Sequence, residues 1–205
     1  FADKVILYEG DTERMLIKNV LLSDRFETLR NQYISFVQVG GAYAIKYKPI
    51  LEYLNVKSLI ITDLDYKTEA KTEADVRQSS STNATINTFA AEALSDAAPT
   101  VETLYSWKDS SGCIVSNNIC LEFQGQTDGY ARTLEEAMLA KRYNVSALDT
   151  KTKEEWTILR KNDKLMFVIP QKADSCSIRA IVQHTSKNKT DFMYSVILNK
   201  LVDTM

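Results

Sequence analysis

Excess positive charge, paired cysteines, histidine and long apolar runs are all scarce in this chain. Lys and Arg number 25 against 27 Asp and Glu, a formal net charge of −2. No global positive field therefore marks a nucleic-acid binder, and any phosphate contact has to come from local basic clusters or bound cations. The three cysteines, Cys113, Cys120 and Cys176, are an odd number with no CxxC spacing. That argues against a disulfide framework or a structural zinc site and fits a reducing, cytoplasmic compartment. The single histidine, His184, reads as an ordinary surface or partly buried residue. No apolar run reaches the ~18 residues of a membrane helix and no signal peptide precedes Phe1, so no membrane partner is expected. The start at Phe1 rather than Met is expected of a processed product or of a fragment of something longer. A GxxxxGK[ST] nucleotide loop is missing, and Gly40-Gly41 is too short for a dinucleotide fingerprint.

What is present is an ordinary globular composition, 205 residues with 44% hydrophobic and 25% charged, enough for one good core with an insertion. The run "VILY" at 5–8 reads as a strand closed by Gly10. Asp11 or Thr12 then caps a helix with Met15, Leu16, Val20 and Leu21 on one face. A second strand at 34–39, a turn at Gly40-Gly41, a helix at 47–54 with Pro49 in its first turn, and a third strand at 58–62 continue the alternation. Strands alternating with helices imply βαβ units and a mostly parallel sheet.

After Asp65 the stretch "YKTEAKTEADVRQSSSTNAT" is polar without a sustained apolar period and is expected to be a loop or a local insertion. Beyond it the pattern predicts a helix at 88–94 ended by Pro99, a strand at 101–107, and an edge strand at 119–123. A helix follows from Thr133 with Glu136 placed as in a capping box. A strand at 165–169 stopped by Pro170 and a final amphipathic helix at 191–201 complete the reading.

If the first and third strands are parallel neighbours, their C-terminal ends share the sheet edge at which open α/β folds bind ligands. Glu9 closes the first strand, Asp63 the third, Asp65 lies two residues on, and Glu13 sits in the first turn of the helix. Four carboxylates converging on one edge repel one another and call for positive charge. Oxygen ligands without His or Cys suit Mg²⁺, Mn²⁺ or Ca²⁺ rather than zinc, and two such ions support phosphoryl transfer. The competing explanation is that acids at a helix N-terminus serve only as caps and dipole partners. Their joint placement on one expected edge favours metal.

The EGxTE segment at Glu9 to Glu13 and the DxD at Asp63 to Asp65, joined by βαβ texture, resemble a TOPRIM domain. The blocks "FADKVILYEGDTERMLI", "VQVGGAYAIKYKPILEYLNVKSLIITDLD", "STNATI", "ARTLEEA" and "SKNKTDF" are more closely similar, in order, to the nuclease domain of the overcoming-lysogenization-defect (OLD) family. The resemblance implies a TOPRIM-like α/β fold, a central, mostly parallel sheet flanked by helices with inserted segments. Residues 1–65 would be the core with the metal motifs, 66–129 a variable insertion, and 130–205 the remainder with Glu and Lys motifs. It further implies a two-metal (Mg²⁺ or Mn²⁺) DNA endonuclease or nickase that follows an N-terminal ABC-type ATPase in a longer, homo-oligomeric protein with a role in phage defence. Carried over by position, Glu9, Glu13, Asp63 and Asp65 are metal ligands, and Glu135 completes the shell with Glu136 as its competitor. Lys189, with Lys187 as the nearest alternative, stabilises charge building on the phosphate, and Glu9 is the first candidate for general base.

Other readings remain beside this one. Arg142, Lys151, Lys153, Arg160, Lys161 and Lys164 form a basic run that either tracks a DNA backbone or is a solvated face. Ten tyrosines invite a topoisomerase, but such an enzyme presents its tyrosine from a separate domain for which there is little room. A primase lacks its template-handling segments here. A non-catalytic TOPRIM-like module for DNA binding or dimerisation is the rival from another class, and it has no need of four acids and a lysine.

Overall fold

The computed structural model describes residues 2–67, 69–111 and 114–205. It divides into two compact units, Phe1–Gly125 and Gln126–Met205.

In the first unit, β1 (Lys4–Tyr8) leads into α1 (Asp11–Leu21), a short α2 (Glu27–Arg30) and β2 (Ile34–Gln38). A 3-10 turn at Gly41–Tyr47 runs into α3 (Lys48–Tyr53), with Pro49 in the first turn, and then β3 (Lys57–Ile61). Next come α4 (Glu73–Gln78), α5 (Ala84–Leu94) and α6 (Val101–Ser111), followed by β4 (Ile114–Ser116) and β5 (Ile119–Glu122). The strands form one sheet in the order β2-β1-β3-β5-β4, with β4 antiparallel to β5 and the other pairs parallel. β-branched and leucine side chains fill it, with Leu7, Ile60, Ile119 and Leu121 fully buried. The chain leaves β1 for β2 on one side and returns to β3 on the other. The gap between the ends of β1 and β3 is thus the topological switch point, where parallel sheets leave a crevice.

The α/β alternation up to β3 is as expected, and several later expectations are corrected. The predicted strand at 101–107 is the start of α6. Its apolar residues Val101, Leu104 and Tyr105 are buried at i, i+3 and i+4, a helical spacing that the β-prone residue types obscure. The polar stretch after Asp65 holds two helices. Thr72 caps α4 through Asp75 in a capping box, and Asn83 caps α5 by accepting from the backbone of Thr85 and Ile86. Serine, threonine and asparagine there act as helix starts rather than loop filler. The strand at 119–122 is internal, because β4 covers its outer side and takes the edge.

The second unit contains α7 (Leu134–Tyr143), β6 (Thr150–Thr152), α8 (Lys153–Asp163), β7 (Ser175–Ser177), α9 (Ile178–Thr185) and α10 (Lys189–Leu198). β6 and β7 pair antiparallel in a small ladder that the sequence pattern did not reveal. Residues 165–169 alternate as a strand would, with Leu165, Phe167 and Ile169 buried while Met166 and Val168 are 57% and 39% exposed. They nevertheless join no sheet, since the N–H groups of Met166 and Val168 donate to the hydroxyls of Ser195 and Thr185. Thr133 caps α7 through the Glu136 N–H, but the Glu136 carboxylate accepts from Arg132 rather than from Thr133, so only half of the expected capping box forms.

An odd cysteine count forbids complete pairing but not a single bridge. Cys176 is free and buried, Cys120 is disulfide-bonded, and Cys113 lies outside the described residues. Among the described residues, no helix is long and apolar enough to cross a membrane.

Candidate metal centre

Glu9 leaves the end of β1, and Asp63 and Asp65 follow the end of β3. One carboxylate oxygen from each of the three lies within 4.8 Å of the others. Asp63 is only 9% exposed. The chain does not stay extended through this segment, for Asp65 has a φ of +48°, a left-handed conformation that Asp tolerates better than most residues. Its carbonyl accepts from the Thr82 N–H at 2.9 Å and also from the Thr82 hydroxyl. The Leu64 carbonyl accepts from the Ser81 hydroxyl at 2.6 Å. The polar segment before α5 is thereby stitched onto the metal-motif loop.

Glu9 Oε1 receives three neutral donors: the Thr62 hydroxyl, the Asp63 N–H at 3.3 Å and the Asn83 carboxamide at 3.4 Å. Asn83 is buried, and its Nδ2 also donates to Thr62 Oγ1 at 2.6 Å and to the Asp63 carbonyl at 2.8 Å while its Oδ1 caps α5. A second buried carboxamide, Gln124, lies just beyond β5. Its Nε2 donates to Asp63 Oδ1 at 2.9 Å and its Oε1 accepts from the Leu64 N–H at 2.7 Å. Sequence reasoning did not select either residue for the site. An Asn before the apolar Ile86, Phe89 and Ala90 is a legible helix cap, whereas nothing in the chain near Gln124 marks it.

The fourth expected acid behaves differently. Glu13 Oε2 accepts from the Gly10 N–H at 2.9 Å and the Thr12 hydroxyl at 3.3 Å. It thus closes the N-terminus of α1 and is not among the three carboxylates that gather within 4.8 Å. Three hard, anionic oxygens with such separations match what a divalent cation with metal–oxygen distances of about 2.0–2.6 Å requires, and they suit Mg²⁺, Mn²⁺ or Ca²⁺.

The second unit carries the other candidates, and there the acids are paired with cations. Glu135, 2% exposed in the first turn of α7, holds Lys189 Nζ at 3.1 Å from each of its oxygens. Glu136, 1% exposed, accepts from the Arg132 N–H at 2.9 Å and lies 3.8 Å from Arg179 Nε. Burial pushes the Glu136 carboxyl above the usual carboxylate range, and the Arg132 N–H and the Arg179 charge pull it partway back. In the basic run, Arg142 makes a two-pronged bond to Asp163 at 3.0 and 2.6 Å, and Arg160 donates to the Phe167 carbonyl at 3.1 Å. His184 is exposed, with its ring nitrogen 2.9 Å from the Ala180 carbonyl of the same helix.

Residues 1–65 match the family model described as the overcoming lysogenization defect protein-like TOPRIM domain. Endonuclease GajA of Bacillus cereus (strain HuB5-5) is 30% identical over 161 residues, which are 75% of this chain and 22% of that protein. The chain therefore spans about a fifth of the length of this curated relative. Among solved structures, the C-terminal region of the Burkholderia pseudomallei OLD protein is similar in fold, with a TM-score of 0.52 at 16% identity, covering 100% of this chain and 91% of that one.

Proposed function

Because residues 1–65 match the OLD-like TOPRIM family model, we propose that the chain is an OLD-family TOPRIM domain, the nuclease part of a longer protein, and hydrolyses DNA phosphodiester bonds with divalent metal ions. The observation that carries this reading is the convergence of Glu9, Asp63 and Asp65 within 4.8 Å at the switch point of the sheet. The name of the endonuclease relative supports the same chemistry.

In this reading Glu9, Asp63 and Asp65 hold the cation, Mg²⁺ or Mn²⁺, and Glu135 is carried over from the family resemblance as the residue that completes the metal shell, with Glu136 its competitor. A bound divalent ion supplies Lewis acidity, lowering the pKa of an attacking water and offsetting negative charge on the phosphate. The protein's own part is to aim the ligands and to supply a cation. The three neutral donors on Glu9 Oε1 orient that carboxylate, which is also the first candidate to take the water's proton. Lys189 is a compact point charge suited to the anionic phosphate of the transition state. Its bonds to Glu135 hold it meanwhile, and a carboxylate with about four acceptor positions can serve both a lysine and a metal. An N-terminal ATPase, a homo-oligomeric full-length protein, a cytoplasmic location and a role in antiviral defence belong to this reading as well.

The test is cleavage of supercoiled plasmid in Mg²⁺, Mn²⁺, Ca²⁺ or EDTA, beside Glu9→Ala, Asp63→Ala and Lys189→Ala. Cleavage that needs metal and vanishes in folded variants supports the assignment. A wild type that neither cleaves nor binds metal, even when joined to the rest of its longer protein, overturns it in favour of a binding module.

A further inference from the structure

β3 and β5 run parallel with Ile61 opposite Glu122, and the ladder continues one step as the Thr62 N–H donates to the Glu122 carbonyl at 3.1 Å. Where the next rung would fall, backbone gives way to a side chain. Gln124 Oε1 accepts from the Leu64 N–H at 2.7 Å, in the manner of a strand carbonyl, while its Nε2 donates to Asp63 Oδ1 at 2.9 Å. The orientation of this carboxamide is determined by its partners. Turning it over would set NH₂ against an N–H and carbonyl oxygen against a carboxylate, a repulsion at both ends. Gln124 is 8% exposed and Leu64 fully buried, so water is a poor substitute at either end.

Such a clamp holds both the peptide plane after Asp63 and the rotamer of its carboxylate. It does so with a neutral donor. A lysine or arginine there would also orient Asp63 but would cancel the charge that a cation needs, whereas an amide leaves the carboxylate anionic with further acceptor positions.

We propose that Gln124 is a positioning residue that sets the divalent-metal affinity of the acidic cluster by fixing Asp63, an inference that rests on the metal-centre reading above. Residues that orient metal ligands are worth roughly 10–100-fold in affinity when removed. Gln124→Met keeps the length of the side chain and loses both bonds. Gln124→Asn is the milder change, keeping an amide that falls one methylene short of spanning both partners.

The experiment uses the whole chain and titrates Mn²⁺, reading free ion by its EPR signal, with thermal unfolding in EDTA alongside and plasmid cleavage as a function of Mn²⁺. Both variants are expected to unfold cooperatively in EDTA, a few degrees below the wild type because a buried N–H loses its partner, and to bind Mn²⁺ about 10–100-fold more weakly. Their cleavage should recover toward the wild-type plateau as Mn²⁺ is raised, a rescue that a general structural defect would not give. If Gln124→Met does not fold, Gln124→Asn decides. Either folded variant titrating as the wild type does overturns the inference and leaves the metal centre standing. A wild type that binds no Mn²⁺ overturns the metal-centre reading itself, and this inference with it.

Discussion

The candidate site acids of the two units are held in opposite ways. In the first, Glu9, Asp63 and Asp65 are brought within 4.8 Å of one another, and among the described residues Glu9 accepts from neutral groups: a hydroxyl, a carboxamide and a backbone N–H. In the second, Glu135, Glu136 and Asp163 each face a cation, Lys189, Arg179 and Arg142 respectively. A buried acid matched by a cation satisfies the fold and leaves little field for a ligand. Neutral donors orient a carboxylate without bringing a counter-charge to it, and gathering acids costs free energy that a bound cation offsets. The contrast therefore separates the acids proposed to bind metal from acids that hold the chain, with Glu135 the one to which the proposal assigns both.

The sharpest way to break this contrast is to remove an acid from each side. Asp63→Ala should lower metal-dependent cleavage by about 10²–10³-fold, several kcal/mol of transition-state stabilisation, while unfolding in EDTA changes little. Glu136→Ala should do the reverse. Losing the partner of a buried Arg179 and the acceptor for the Arg132 N–H costs about 3 kcal/mol by chemical denaturation, with Mn²⁺ affinity unchanged. A fall in Mn²⁺ affinity in that variant would move Glu136 to the metal side.

The pH dependence of two acids in the second unit sharpens it further. Asp163 is held below the ordinary Asp value, chiefly by its bond to Arg142. Its stabilisation is present above about pH 4 and lost as pH falls through the depressed value. Asp163→Asn should cost about 1–2 kcal/mol at neutral pH, and the difference from wild type should close at strongly acidic pH. Glu136, whose value is raised, contributes with the opposite sign: its share is full below about pH 4.5 and declines as pH rises through the raised value. Urea titrations of both variants across pH would reveal parallel profiles if the two acids were alike. The smallest effect is a calibration that touches no buried acid. Thr152 caps α8 by accepting from the Glu155 N–H at 3.2 Å, and Thr152→Ala should cost about 1 kcal/mol without altering cleavage.

Legibility in the sequence followed the range of the interaction. Strands at 5–8, 34–38 and 58–61 were readable because short β-branched runs end at glycines or polar residues, and the acids at their ends were readable because parallel neighbours share an edge. The 101–107 segment was misread because its β-prone residue types obscure the helical spacing of its buried positions. For the polar stretch after Asp65 the loop alternative failed, because caps look like loop residues until the helices behind them are packed. The alternation at 165–169 was real, but its N–H groups found hydroxyls on α9 and α10 instead of a strand.

Local order along the chain was thus enough to determine the βαβ core and to nominate Glu9, Asp63 and Asp65. That is because each of them sits within a few residues of the strand that carries it. Only the tertiary structure decided which acids gather and which are paired away, and that Asn83 and Gln124, 20 and 61 residues beyond Asp63 in sequence, close around it. Hydrogen bonds between such distant residues depend on sheet register and on where α5 begins, and neither leaves a periodic trace in the order of amino acids.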